Sequence, residues 1–336
     1  MNAPRTSASP LPCRLPEGFG ELQVHVDRVR VEGVELLRAG LATTGPGGFE
    51  VTGAAAGPDG ETVGRAGFEL LERVATLEGI AARREDRHGL FAESEAPERY
   101  RPARSNGIAL HATEAEARER AQLELAERDR VLRAWYGETV PERLAFELPS
   151  PTLPLRALTA LAVGGRYDVQ AYAFPDDGRC LASRGVEVVG TFAFPRCGGL
   201  PLGMGFAARR ARPDALAASV AEAAQSLAFL WDEPVGEEPA PPGPSAMHQL
   251  EYWQSPSRHA TLRAWLAGRH AVHAGALASV TRVAPGSEVV FHDLTPAWAE
   301  GFRVARATCR AAVPLVFGVA PWASSLPDEL RVQPIA

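Results

Sequence analysis

Two short stretches of this chain repeat one chemical idea: Glu69-Leu70-Leu71-Glu72-Arg73 and Glu124-Leu125-Ala126-Glu127-Arg128-Asp129. On a helix, residues three apart share a face, so each stretch sets two carboxylates side by side with an arginine next to them. Like charges at that spacing repel. Taken alone, either pair is most simply a solvated helix face, since surface carboxylates are the norm. Two pairs, each followed by the same arginine and set among apolar residues at helical spacing, suggest a shared cation, although spacing alone still favours solvated faces for both. On the shared-cation reading Glu69, Glu72, Glu124 and Glu127 are Mg²⁺ ligands, because Mg²⁺ takes oxygen donors and commonly binds through one or two carboxylates plus phosphate oxygens. The ions in turn would hold a nucleotide.

Composition narrows the alternatives. With 336 residues, 46% hydrophobic and 23% charged, the chain can bury a sizeable core. A net charge of −6 argues against a nucleic-acid binder, which needs a basic surface. All 35 basic residues are arginine. Without lysine there is no Walker-type phosphate ligand, no Schiff base and no lysine general base, so any phosphate must be held by metal ions, arginine and backbone amides. Cys13, Cys180, Cys197 and Cys309 form no CxxC pair and suggest neither a zinc site nor a disulfide framework. Scattered thiols, an N-terminus without an apolar stretch and no apolar run of membrane-spanning length make a cytoplasmic protein the expectation, with no membrane contact.

The elements that must position the carboxylates can be placed in order. Residues 1–20 are rich in Pro, Ser and Gly and are expected to be mobile. Leu22, Val24, Val26, Val29 and Val31 give a strand with an irregularity near Arg28, and Phe49 to Thr52 a short one. Phe68, Leu70, Leu71, Val74 and Ala75 form the apolar stripe of the first carboxylate helix. Residues 83–104, highly charged, read as a surface excursion. Ser105-Asn106-Gly107 turns into Ile108-Ala109-Leu110, and a helix from about Thr113 to Trp135 opens with a Thr113/Glu116 capping box. The two carboxylate helices stand 55 positions apart, which suggests an internal duplication. Residues 141–154 are a proline-rich connection. Strands are expected at 166–174 and 186–194 around an Asp176-Asp177-Gly178 turn. Gly203-Met204-Gly205 reads as a small-residue turn that could approach a ligand. A third helix spans about Asp214 to Trp231 and carries Glu222 and Gln225 on one face. A proline-rich loop follows at 233–245, then helices near 248–253 and 258–269, and strands near 289–291, 302–307 and 314–319. Two further histidine signals are weak: His270 and His273 lack a third ligand, and His111 could touch a phosphate or simply enter a helix.

The series GRAGFELLER, then SNGIALHATEAEARERAQLELAERD, then GMGF…DALAASVAEAAQ resembles the YcaO family, ATP-dependent enzymes that modify peptide backbones. The match runs from about residue 50 to the end, and the segment from SNG to the ERD helix is its most specific part. The resemblance implies an α+β fold of YcaO type, with mixed sheets carrying the helices and two related halves around a nucleotide site. It places Mg²⁺ ligands on Glu69, Glu72, Glu124 and Glu127, and puts Arg73 and Arg128 near the phosphates of ATP. Ser105, Asn106, Glu222 and Gln225 fall on its nucleotide-side positions. The chain departs from the pattern in three places. Ala54-Ala55-Ala56-Gly57 replaces a stretch with glycine and lysine. Arg65 stands where a serine is usual. The tail Val332-Gln333-Pro334-Ile335-Ala336 keeps only one proline of a Pro-x-Pro-x-Pro motif, whose terminal carboxylate, here that of Ala336, would act as a base.

The expectation is a mobile segment at 1–20 and one domain over 21–336, with a first half at 21–140 and a second at 141–336. Its activity would be ATP- and Mg²⁺-dependent modification of a ribosomally made precursor peptide by phosphorylating a backbone amide oxygen. Azoline-forming cyclodehydration is the leading form, with thioamide formation or a non-catalytic scaffold as alternatives. The implied partners are the precursor peptide and a separate leader-peptide-binding or TfuA-like protein; a homodimer is compatible with the sequence.

Overall fold

The computed structural model describes residues 11–31, 33–57, 61–82, 99–145, 165–239, 241, 243–269, 277, 288–323 and 326–335. Calls on Ala336, His270 and His273, and most of those on the 83–104 and 141–154 segments, fall outside these residues.

The valine-rich stretch near the N-terminus forms β1 (Gln23–Val31), which hairpins into β2 (Val34–Thr44) and then β3 (Glu50–Gly57). The β1–β2 register is unbroken from Gln23 to Val31, so there is no bulge at Arg28. The apolar pattern changes phase there because side chains alternate faces: Val29 and Val31 are buried, whereas Val24 and Val26 are exposed on the other side. Leu11 is buried against this sheet's core with Cys13, Leu15, Phe19 and Leu22 alongside, so the second half of the segment expected to be mobile is seated on the fold.

Helix α1 (Glu61–Ala82) lies on β3 with Ala66, Leu70, Leu71 and Val74 fully buried. Two short strands, β4 (Tyr100–Pro102) and β5 (Ile108–His111), precede α2 (Glu114–Trp135). The Thr113 side chain caps α2 by accepting from the Glu116 amide, as its capping-box spacing implies. The second half begins with β6 (Glu142–Leu144), β7 (Tyr167–Ala173), β8 (Glu187–Pro195) and β9 (Gly203–Arg209), a four-stranded meander. Helix α3 (Arg212–Leu230) packs on one face of this meander. Two shorter helices follow, α4 (Ala246–Gln254) and α5 (Pro256–Leu266), then β10 (Val290–Asp293), β11 (Arg303–Thr308) and β12 (Val316–Gly318). The small sheets are ordered β10-β11-β5 and β12-β4. All strand pairings among the described residues are antiparallel, which refines the expectation of mixed sheets. The fold is α+β.

The largest core lies between the second-half meander, the C-terminal part of α2, and α4 and α5. Trp135 stands edge-on to Trp253 and Trp265, with centroids 5.3 and 5.1 Å apart, a geometry the ring quadrupoles favour. The indole N–H groups of Trp135 and Trp253 donate to the carbonyls of Leu330 and Gln333, and Gln249 donates to Gln333. The C-terminal residues are thereby drawn into the core. Asp129, third member of the Glu127-Arg128-Asp129 run, points here and away from its two neighbours. It is 1% exposed, takes Arg133 at 3.0 Å and accepts from the Val313 amide. Its role is to pin α2 to the chain before β12.

Candidate active site

Three strand–helix pairs surround the site: β3–α1, β5–α2 and β9–α3. In each, a glutamate on the helix accepts a hydrogen bond from a backbone amide of its own strand. Glu69 takes the Ala54 N–H at 2.9 Å, Glu124 the Ile108 N–H at 2.9 Å, and Glu222 the Phe206 N–H at 3.2 Å. The glutamate one turn later on the first two helices reaches across to the next strand. Glu72 takes the Leu110 N–H of β5 at 2.9 Å, and Glu127 is bonded by Ala208 of β9. Helix α3 in turn leans on β3, so the three pairs close on one another. Gln225 stands where the third helix would repeat the second glutamate.

Each amide that receives the first glutamate follows a glycine: Gly53-Ala54, Gly107-Ile108 and Gly205-Phe206. A Cβ on Gly53 would meet the Ala66 carbonyl at 2.2 Å, and one on Gly205 the Ala223 amide at 2.3 Å. Only glycine lets helix and strand backbones come close enough for a glutamate to hold the strand from above. Gly203-Met204-Gly205 is thus part of a strand, and the close approach it permits is that of α3, which corrects the reading of a ligand-facing turn.

The carboxylates lie near enough to act on one another's charge. Burial, joined by the charge of Glu69, raises Glu72 to about 7. Burial, joined by Glu72 and Glu127, raises Glu124 to about 8. Burial and then Glu127 raise Glu222 to about 8, and burial raises Glu127 too. Glu222 nonetheless has exposed surface area; the surface it exposes lines a cavity, where protein atoms still crowd the carboxylate. Arg128 is the cation nearest these acids, and Arg73 and Arg209 act on them from further away. Arg128 sits 3.2 Å from Glu124 and 3.9 Å from Glu127, and it pulls down the carboxyls of Glu72 and Glu222 as well. Among the described residues, only Glu124 and Glu127 of the four have an arginine within ion-pair distance, and removing a charge from water without a partner is costly. The buried Asn106 Oδ1 and Arg128 Nε lack hydrogen-bond partners.

These residues fit Mg²⁺. The donors are hard oxygens, strand amides fix their orientation, and added positive charge relieves their mutual repulsion. Among the described residues, no three His, Cys, Asp or Glu side chains already surround one point closely enough to hold a metal ion. Ligation by one or two carboxylates, completed by phosphate and water, is the mode the geometry suits.

Beside the carboxylates lies a cavity of about 340 Å³, whose lining includes Ala56, Arg65, Glu127, Arg209, Glu222 and Gln225. That size falls within the range of small-molecule sites, roughly 300–1,000 Å³. The structure thus brings Glu127, Glu222 and Gln225 to one cavity and sets Glu72, Glu124 and Arg128 close behind. Glu69 borders Glu72 but is tied to Arg73. Arg73 is half-exposed, holds the Thr52 carbonyl at 2.9 Å and does not line the cavity. Ser105 is exposed in its turn. His111 places Nδ1 2.8 Å from the Glu116 carboxylate. Arg65 and Arg209, both cavity residues, were not among the sequence-derived site residues.

Residues 87–314 match a family model described as "YcaO cyclodehydratase, ATP-ad Mg2+-binding". No curated protein matches the chain. Several solved structures share its fold. A YcaO protein from Methanopyrus kandleri, bound with AMPPCP and Mg²⁺, has 18% identity and a TM-score of 0.55, over 94% of this chain and 90% of that one. A heterocyclase in complex with substrate and cofactor has 17% identity and a TM-score of 0.56, over 88% of this chain and 50% of that one. The E. coli microcin synthetase McbBCD complex contains a chain with 12% identity and a TM-score of 0.52, over 86% of this chain and 87% of that one.

Proposed function

This chain belongs to the YcaO family, and from that premise we propose that it uses ATP and Mg²⁺ to activate a backbone amide of a ribosomally made precursor peptide. The activated amide would then close to an azoline with loss of water. The observation that carries the reading is the convergence of Glu72, Glu124, Glu127 and Glu222 beside a cavity lined by two arginines. The amide oxygen is a poor leaving group. Once a side-chain nucleophile has added to the carbonyl, transfer of a phosphoryl group to the resulting oxyanion turns that oxygen into phosphate, which departs. The enzyme's task is then positioning and charge stabilisation, with no covalent enzyme nucleophile.

In this scheme Glu72, Glu124, Glu127 and Glu222, each fixed by a strand amide, would hold Mg²⁺. Mg²⁺, when bound, supplies neutralisation of phosphate charge. Arg128 holds Glu124 and Glu127 apart and adds positive charge behind them. Ser105, Asn106 and Gln225 serve the nucleotide. Arg73, tied to Thr52 and Glu69, acts by orienting Glu69.

A second reading is thioamide formation with a TfuA-like partner, in which an external sulfur source replaces the side-chain nucleophile. A third, a scaffold that binds leader peptide without turnover, draws on the absence of lysine. The test is to incubate the chain, MgATP, a precursor peptide and the candidate partner, then weigh the product. Loss of water is expected. Exchange of oxygen for sulfur assigns the thioamide, and an unchanged peptide with no ATP consumed assigns the scaffold. We further propose that a separate leader-peptide-binding protein recruits the substrate, as efficient turnover by the chain alone would refute.

A further inference from the structure

Most arginines on the three site helices have an acid partner. Arg73 pairs with Glu69, Arg118 with Glu114, Arg128 with Glu124, Arg133 with Asp129 and Arg212 with Glu187. Arg120 on α2 has none among the described residues, and neither do two arginines of the cavity, Arg65 on α1 and Arg209 at the end of β9. Among the described residues no carboxylate lies within salt-bridge distance of either, and their bonds run to neutral oxygens. Arg65 Nη2 donates to the Ala56 carbonyl and to Thr62 Oγ1, both at 3.2 Å, and Arg209 Nη1 donates to the Ala208 carbonyl at 2.7 Å. A guanidinium has five N–H donors, so most of each fork remains free. Both line the same cavity, Arg65 from the β3–α1 side and Arg209 from β9. Burial and the like charge of Arg120 disfavour the Arg209 guanidinium, while Glu127, Glu222 and Asp214 attract it from beyond ion-pair distance.

Gly57, at the end of β3, makes room for this placement. A Cβ there would fall 2.1 Å from Arg65 Nη2. What would be displaced is the far end of a flexible side chain, so the glycine governs where the guanidinium sits.

We propose that Arg65 and Arg209 form a two-guanidinium clamp for the polyphosphate of the nucleotide, Arg65 supplying the positive charge that a chain without lysine cannot take from an ammonium. Planar forks suit phosphate oxygens in bidentate fashion. Glu127 and Glu222 line the same cavity and would repel bare phosphate, so the clamp selects a polyphosphate that carries Mg²⁺ between itself and the acids. The inference rests on the ATP reading above and names the residues that hold its anionic end.

The experiment is calorimetric titration of the full chain and its Arg65→Ala, Arg65→Lys and Gly57→Ala variants with MgATP and with magnesium tripolyphosphate, which has no base or sugar. Arg65 is exposed, so the variants should fold, and circular dichroism checks this. Arg65→Ala is expected to weaken both ligands by roughly ten- to a hundredfold, the range of a hydrogen-bonded charge. Arg65→Lys should recover part of the loss, since an ammonium offers charge without the fork. Gly57→Ala should weaken both ligands less than Arg65→Ala does. Unchanged affinities in Arg65→Ala overturn the clamp while leaving the ATP reading intact. Loss of MgATP affinity with tripolyphosphate unaffected, or a parent chain that ignores tripolyphosphate, also overturns it by placing Arg65 elsewhere on the nucleotide. A parent chain that binds no MgATP overturns the ATP reading and the clamp with it.

Discussion

Glu127 lines the cavity and its charge raises both Glu124 and Glu222. Its neutral analogue should therefore separate stability from function. Glu127→Gln in metal-free protein at pH 8 is expected to melt higher than the parent, since a desolvated like charge has been removed, and to lose the upward shift that MgATP gives the parent. A differential scanning experiment with and without MgATP reads both; a variant that melts lower and keeps the MgATP shift would contradict this role. The pH dependence has the same origin. Glu72, Glu124 and Glu222 titrate near 7 to 8 in the folded chain, against an ordinary value of 4.5. The folded state thus binds more protons than the unfolded state between those limits, so metal-free stability falls as pH rises from about 4.5 to about 8 and then levels. Mg²⁺ competes with those protons, so its apparent affinity should climb over pH 6 to 8.5. Metal-free melting curves and Mg²⁺ titrations across that range check the two trends, and a flat pair of profiles would speak against carboxylates that act on one another's charge.

At the scale of elements, the site depends on how closely each helix approaches its strand. Gly205→Ala would set a Cβ 2.3 Å from the Ser219 carbonyl and the Ala223 amide, both backbone atoms that move only with the helix. The expected cost is about 1–3 kcal/mol, as for overpacking a core, together with weakened MgATP binding because Glu222 rides on that helix. Denaturant unfolding and nucleotide titration give the two readouts. The glycine before each amide explains what the sequence did and did not reveal. Helical periodicity placed Glu69, Glu72, Glu124 and Glu127 on helices, because i, i+3 spacing is a local property. It could not show that Glu69 and Glu124 hold their own strands while Glu72 and Glu127 reach the next, because those contacts depend on tertiary closure. A signal was available: Gly53, Gly107 and Gly205 precede Glu69, Glu124 and Glu222 by nearly constant intervals, and it would have shown three units where two helices suggested a duplication. Arg65 and Arg209 left no such trace, since an arginine without an acid partner is recognisable only once its neighbours are known. β2 also escaped notice, its Leu36, Ala39 and Leu41 burial being set by packing against α1 and α3.

Across the whole molecule, function and stability divide along α2. Its middle turns Glu124, Glu127 and Arg128 to the site. Its second half turns Asp129 and Arg133 into the core, where Arg133 also meets Glu138 at 2.6 Å and Asp177 at 3.1 Å. Asp129→Asn should accordingly act on folding, at about 3–5 kcal/mol for a broken buried pair, and leave MgATP affinity of the folded fraction unchanged; chemical denaturation and calorimetry together decide this. Among the described residues no helix is long and apolar enough to cross a membrane. The central claim is that carboxylates from three strand–helix pairs hold metal against a triphosphate. It is tested most directly by titrating MgATP into the parent chain and a Glu72→Gln/Glu127→Gln double variant. Micromolar binding by the parent, abolished in a variant that remains folded, is the predicted result; equal binding by the two would contradict it.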